Sequence, residues 1–115
     1  MWIFTTSGFV SAVSNPDGTI KVRARDRASL EPLSKKYQIE ITQTPIADYP
    51  YRLEISAENF AHWVNEQVNK IEYSNFKSEV QIHRGSNFAQ VLQTVWSAMH
   101  DVEDVNARKR KQVQN

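Results

Sequence analysis

The chain has 115 residues, 40% of them hydrophobic and 10% aromatic, which fits one domain able to bury about two thirds of its unfolded surface. Fourteen Lys and Arg against thirteen Asp and Glu leave a formal net charge of only +1, so no global field draws the protein to nucleic acid or an anionic membrane. No cysteine is present, which excludes disulfides, thiolate metal sites and cysteine nucleophiles and fits a reducing, cytoplasmic setting.

The opening Met1 to Thr6 has no basic segment and no apolar run approaching the ~20 residues of a membrane helix. Neither a signal peptide nor a membrane partner is expected. Trp2 to Val13 are aromatic, β-branched or small and predict a strand, with Gly8 as the place for a bend. Asn15-Pro16-Asp17-Gly18 then suits a hairpin loop whose glycine takes the left-handed conformation. The return segment 19–25 alternates strictly, with Ile20, Val22 and Ala24 on one face and Lys21, Arg23 and Arg25 on the other.

Ser29 is a candidate cap for a short helix over 29–37, with Pro32 in its first turn and Leu30, Leu33 and Tyr37 on one face. Ile39 and Ile41 predict a third strand. After a loop from Pro45 to Pro50, Tyr51, Leu53 and Ile55 predict a fourth. Ser56 caps a helix over 57 to about 71, where Phe60, Trp63, Val64, Val68 and Ile71 recur at helical spacing. One or two helical turns are expected over 74–80. A last helix over 87–104 follows Gly85 and Ser86 and bears one apolar stripe, Phe88, Val91, Leu92, Val95, Trp96, Met99 and Val102.

These elements predict an α+β fold: an antiparallel sheet of about four strands with two to four helices on one face, in the order β-β-α-β-β-α-(α)-α. Residues 1–106 are expected to form one domain. Residues 107–115, with the run Arg108-Lys109-Arg110-Lys111, read as a basic mobile tail.

Few residues point to catalysis. His100 and Asp104 stand i, i+4, but a metal site needs a third ligand, and a solvated helix face explains them better. His62 lies opposite the apolar side of its helix. His83, with Ser74 or Ser86 and Asp48 or Asp101, assembles into a hydrolytic triad only on paper. Gly8, Gly18 and Gly85 stand too far apart for a phosphate-cradling loop. The sequence thus nominates no catalytic residue, metal ligand or cofactor, and the balance falls on a non-enzymatic role.

Recognition has better candidates. Lys21, Arg23, Arg25 and Arg52 fall on the wet face of the sheet, where Trp2 and Phe4 can join them; cations beside aromatics suit single-stranded nucleic acid. The plainer reading pairs those cations with Glu40 or Glu54 and buries Trp2 or Phe4. Asp48-Tyr49-Pro50-Tyr51-Arg52 places two tyrosines and an opposite-charge pair around a proline, a composition typical of recognition patches. Its structural alternative has Tyr51 in the core and Arg52 paired with Asp48.

The opening Met1-Trp2-Ile3-Phe4-Thr5-Thr6-Ser7-Gly8-Phe9-Val10-Ser11-Ala12-Val13, the strand Val22-Arg23-Ala24-Arg25, and the later Asp48 to Arg52 and Tyr73-Ser74-Asn75-Phe76-Lys77 resemble a family of small bacterial and phage proteins. The likeness spans most of the chain and ends near Val95-Trp96. That family has no established activity, so the resemblance implies a compact bacterial or phage domain and gives no residue a role.

The leading expectation is a non-enzymatic binding protein that recognises a macromolecule, above all a protein, through Arg23, Arg25, Asp48, Tyr49 and Arg52. The competing expectation is nucleic acid, held by Lys21, Arg23, Arg25, Arg52 and the basic tail. A third is a small-molecule or hydrolytic pocket between sheet and helices near His83. An exposed Trp2 or Phe4 would also admit a homodimer.

Overall fold

The computed structural model describes residues 1–104. The expected tail at 107–115 lies outside them. The fold is α+β, as the patterning requires, with five antiparallel strands where about four were expected. They are β1 (Trp2–Thr5), β2 (Gly8–Ser14), β3 (Ile20–Ala24), β4 (Thr42–Gln43) and β5 (Tyr51–Ile55), in the spatial order β1-β2-β3-β5-β4. The helices are α1 (Glu31–Tyr37), α2 (Ala57–Asn69), α3 (Phe76–Arg84) and α4 (Ser86–Ala98), with single 3-10 turns at Arg27–Ser29 and Met99–Val102.

The extra strand comes from the opening segment. It folds back after Thr5 and pairs Thr5 with Gly8, so that Thr6 and Ser7 make a two-residue turn. Gly8 has φ +148° and lies against the Ser29 side chain, a position no side chain fits. A local apolar pattern shows extended backbone but not a reversal inside it. The next loop is as expected: Gly18 has φ +88°, and Asp17 accepts hydrogen bonds from the Thr19 amide and hydroxyl, which hold its carboxyl below the usual range.

One face of the sheet is the core. Val10, Ala12, Val22, Ala24, Leu53 and Ile55 pack with Leu30 and Leu33 near α1 and with Phe60 and Trp63 of α2. Val22, Leu30 and Leu33 are completely shielded, each such side chain contributing about 1.5–3 kcal/mol of apolar burial. Tyr51 also faces this side and is partly buried against the core.

Several helix ends differ from expectation. Asp26, not Ser29, caps the turn at residues 27–29 by accepting from the Ser29 amide, and α1 starts without a side-chain cap. Ser29 instead turns inward, where its hydroxyl donates to Asp26. Ser56 does cap α2, and Asn75 caps α3, which runs about one turn further than the sequence suggests. Ser86 is the first residue of α4, and Gly85 precedes it without a capping side chain. The expected long last helix ends at Ala98 and tightens into the 3-10 turn. The third strand shrinks to Thr42–Gln43, beyond Ile39 and Ile41.

Helices α3 and α4 form an antiparallel pair with Val80 and Leu92 buried. Arg84, at the end of α3, ties this pair to the sheet. It donates to the Ser7 carbonyl (2.6 Å) and the Ser29 hydroxyl (3.3 Å), pairs with Asp26, and lays its guanidinium over Phe88 at 4.2 Å. No helix among the described residues is long and apolar enough to cross a membrane.

Candidate binding site

The second face of the sheet presents a cross-strand row. Register places Trp2 opposite Ser11, Ser11 opposite Arg23, Arg23 opposite Arg52, and Arg52 opposite Thr42, and residues directly opposite share a face. One rung away, Val13, Lys21 and Glu54 form a second row. Lys21 thus stands opposite an acid but forms no ion pair with it, since Glu54 accepts from Asn15, and Arg23 faces another arginine.

Four of the five nominated residues converge. Tyr49 is the centre: Arg23 stands 4.6 Å and Arg25 4.4 Å from its ring centroid, and only 8% of its surface remains exposed. The alternation of β3 puts Arg23 and Arg25 on one face, and the loop before β5 lays Tyr49 between them. Arg25 also donates to the Asp48 carbonyl (2.5 Å) and carboxylate (3.1 Å). The expected Asp48–Arg52 pair does not form: Arg52 donates to Thr44 (2.5 Å), and Asp48 pairs with Arg25. Arg23 donates to the buried Ser11 hydroxyl (2.9 Å), while its Nε is buried without a partner. An unsatisfied buried donor costs about 1–3 kcal/mol, a cost that stability alone does not explain.

Next to this cluster opens a groove of about 500 Å³, in the range of small-molecule or side-chain pockets. Trp2, Phe4 and Phe9 line its sheet side, with Phe4 stacked on Phe9 at 4.6 Å and Trp2 edge-on to Phe9 at 5.7 Å. Phe88, Val91, Leu92, Val95 and Met99 of α4 and its following turn line the other. Trp2, Val91 and Met99 are 69%, 59% and 56% exposed. Trp2 is therefore not core, and the apolar stripe of α4 is only partly covered. The charged groups on the rim are already engaged, Arg25 by Asp48 and Asp26 by Arg84 and Ser29.

Burial raises the Asp26 carboxyl pKa, but the Ser29 hydroxyl, the Arg84 guanidinium and the Ser29 amide outweigh it and hold the group below the usual carboxylate range. These partners favour Asp26 as its carboxylate.

The histidines remain apart from the site. His83 pairs with Glu79 of its own helix (3.4 Å), and Ser86 accepts from Gln81, so neither builds the triad considered from sequence. His100 pairs with Glu103 (2.8 Å), and the described residues contain no group of three or more metal-ligating side chains. His62 contacts the Tyr37 hydroxyl (2.9 Å). The link of Asp26 to Arg84 escaped sequence reading because Arg84 lies 58 residues from Asp26 and 77 from Ser7.

No family model, curated protein or solved structure matches this chain, so the resemblance noted in its sequence receives no support and the site rests on its own geometry.

Proposed function

We propose that this is a non-enzymatic binding protein that takes a segment of a partner protein into the groove between α4 and the open sheet face. The observation that carries this reading is the α4 stripe. Its spacing is that of a core helix, yet Val91 and Met99 stand largely in water in the groove they share with an exposed Trp2. Contiguous apolar surface rimmed by polar groups is the usual mark of a protein-binding site. The adjoining Arg23, Arg25, Tyr49 and Asp48 supply the arginine and tyrosine chemistry enriched at interface centres.

A nucleic-acid reading draws on Lys21, Arg23 and Arg52 but has less to stand on. Base stacking needs accessible aromatic faces, and Tyr49, the ring beside Arg23 and Arg25, is only 8% exposed.

The test is photocrosslinking from a benzoylphenylalanine placed at Val91 in host lysate. A discrete protein adduct that survives nuclease and disappears with Met99→Glu is expected. A nuclease-sensitive adduct, or one unchanged by Met99→Glu, refutes the reading.

A further inference from the structure

The row across the open face has one rung that stability alone would not choose. Arg23 and Arg52 are direct cross-strand partners, with Cβ atoms about 5 Å apart, and like charges in that position repel. The neighbouring rung sets Lys21 opposite Glu54, an opposite-charge rung, although Glu54 accepts from Asn15 and makes no ion pair with Lys21. Each of the two guanidiniums bonds only a neutral hydroxyl, Ser11 or Thr44. Among the described residues no carboxylate lies within 4 Å of either. Asp48, the nearby acid, is committed to Arg25. Within the protein Arg23 is held by one bond to the Ser11 hydroxyl and by the Tyr49 ring beside it, while its Nε is buried without an acceptor.

We propose that Arg23 and Arg52 form an anion-recognition site for the carboxylates of an acidic protein segment whose apolar residues occupy the groove. This deepens the binding function proposed above and rests on it. Two guanidiniums without acids are a missing half of a charge-assisted pair, and their planar forks match carboxylate geometry. Strands are about 4.8 Å apart, so the row sets Arg23 about 10 Å and Arg52 about 14 Å from Trp2. At about 3.3 Å per extended residue, the partner carries acids three and four residues from its apolar anchor. A nucleic acid fits less well: Tyr49, the aromatic beside these cations, is only 8% exposed and offers little surface for base stacking.

The probe is a blocked Leu-Ser-Ser-Glu-Glu-Ser peptide, with its Leu-Ser-Ser-Gln-Gln-Ser counterpart and oligo-dT as comparisons. All are titrated into the full chain while the arginine Nε and tryptophan indole resonances are followed by NMR. The acidic peptide is expected to shift Arg23, Arg52 and Trp2 in one saturable step, about tenfold more tightly than the glutamine peptide. Arg52→Gln should weaken it about tenfold, and since Arg52 bonds only Thr44 this variant keeps the Tyr49 cluster intact should Arg23→Gln disturb it. If Trp2 responds equally to both peptides while the arginines do not move, the anion site is wrong and the groove stands. If neither peptide shifts Trp2 or the arginines, both ideas fall. Tighter binding of oligo-dT would replace the acidic protein with nucleic acid.

Discussion

Replacing Arg84 by Met tests whether one side chain holds the α3–α4 pair on the sheet. Met keeps most of the aliphatic stem and removes the guanidinium, which lies over Phe88 and is bonded to the Ser7 carbonyl, Ser29 and Asp26. The Arg84 side chain is 16% exposed, so its bonds form largely out of water. A hydrogen bond to a charged group contributes about 1.5–3 kcal/mol, whereas Asp26, half-exposed and still held by Ser29, rehydrates when the cation leaves. The expected loss is therefore about 2–3 kcal/mol, below the ~3–5 kcal/mol for breaking a fully buried pair. In a domain of this size that lowers Tm by about 10 °C. Urea unfolding followed by circular dichroism measures it, and a double-mutant cycle with Asp26→Asn isolates the pair. Hydrogen exchange should quicken first in α3 and α4. A loss under about 0.5 kcal/mol, or strictly additive single variants, would refute the view that this contact is the strap.

The same cluster yields two further expectations. Gly8→Ala forces a side chain into a φ of +148° and sets its Cβ 2.6 Å from Arg84 Nη1 and 2.9 Å from Ser29 Cβ, so it should destabilise by about 3 kcal/mol or more. Gly18→Ala, at φ +88° with nothing within 4 Å of the new Cβ, should cost only about 1 kcal/mol of conformational strain; equal melting points for the two variants would contradict the clash. Because the folded Asp26 pKa lies below its ordinary value of 3.8, its contribution is fully present above that pH and is lost as pH falls through the folded value. Acid unfolding curves of wild type and Asp26→Asn should therefore converge below pH 3.8 and separate above it, and curves that stay parallel would count against the assignment.

Much of the fold was legible from local chemistry. The alternation over Ile20–Ala24 and Tyr51–Ile55 sorts core from open face without any knowledge of the partner strand, because a pleated strand sends neighbours to opposite sides. Asn15-Pro16-Asp17-Gly18 announces its own turn, and Ser56 its own cap, since both act within a few residues. The grouping of Arg23 with Arg25 follows from the same period of two.

What the tertiary structure alone decided lies at long range. Only strand pairing could set Arg23 opposite Arg52 in place of an acid, and only the loop before β5 could bring Tyr49 under both arginines. The hairpin at Thr6 and Ser7 depends on Ser29 and Arg84, which lie far along the chain. The spacing of α4 states that its stripe is apolar, but whether an apolar stripe is covered depends on how much opposing surface the rest of the chain supplies. Here that surface covers Leu92 and leaves Val91 and Met99 open. Periodicity is a property of a segment, whereas burial is a property of everything packed against it.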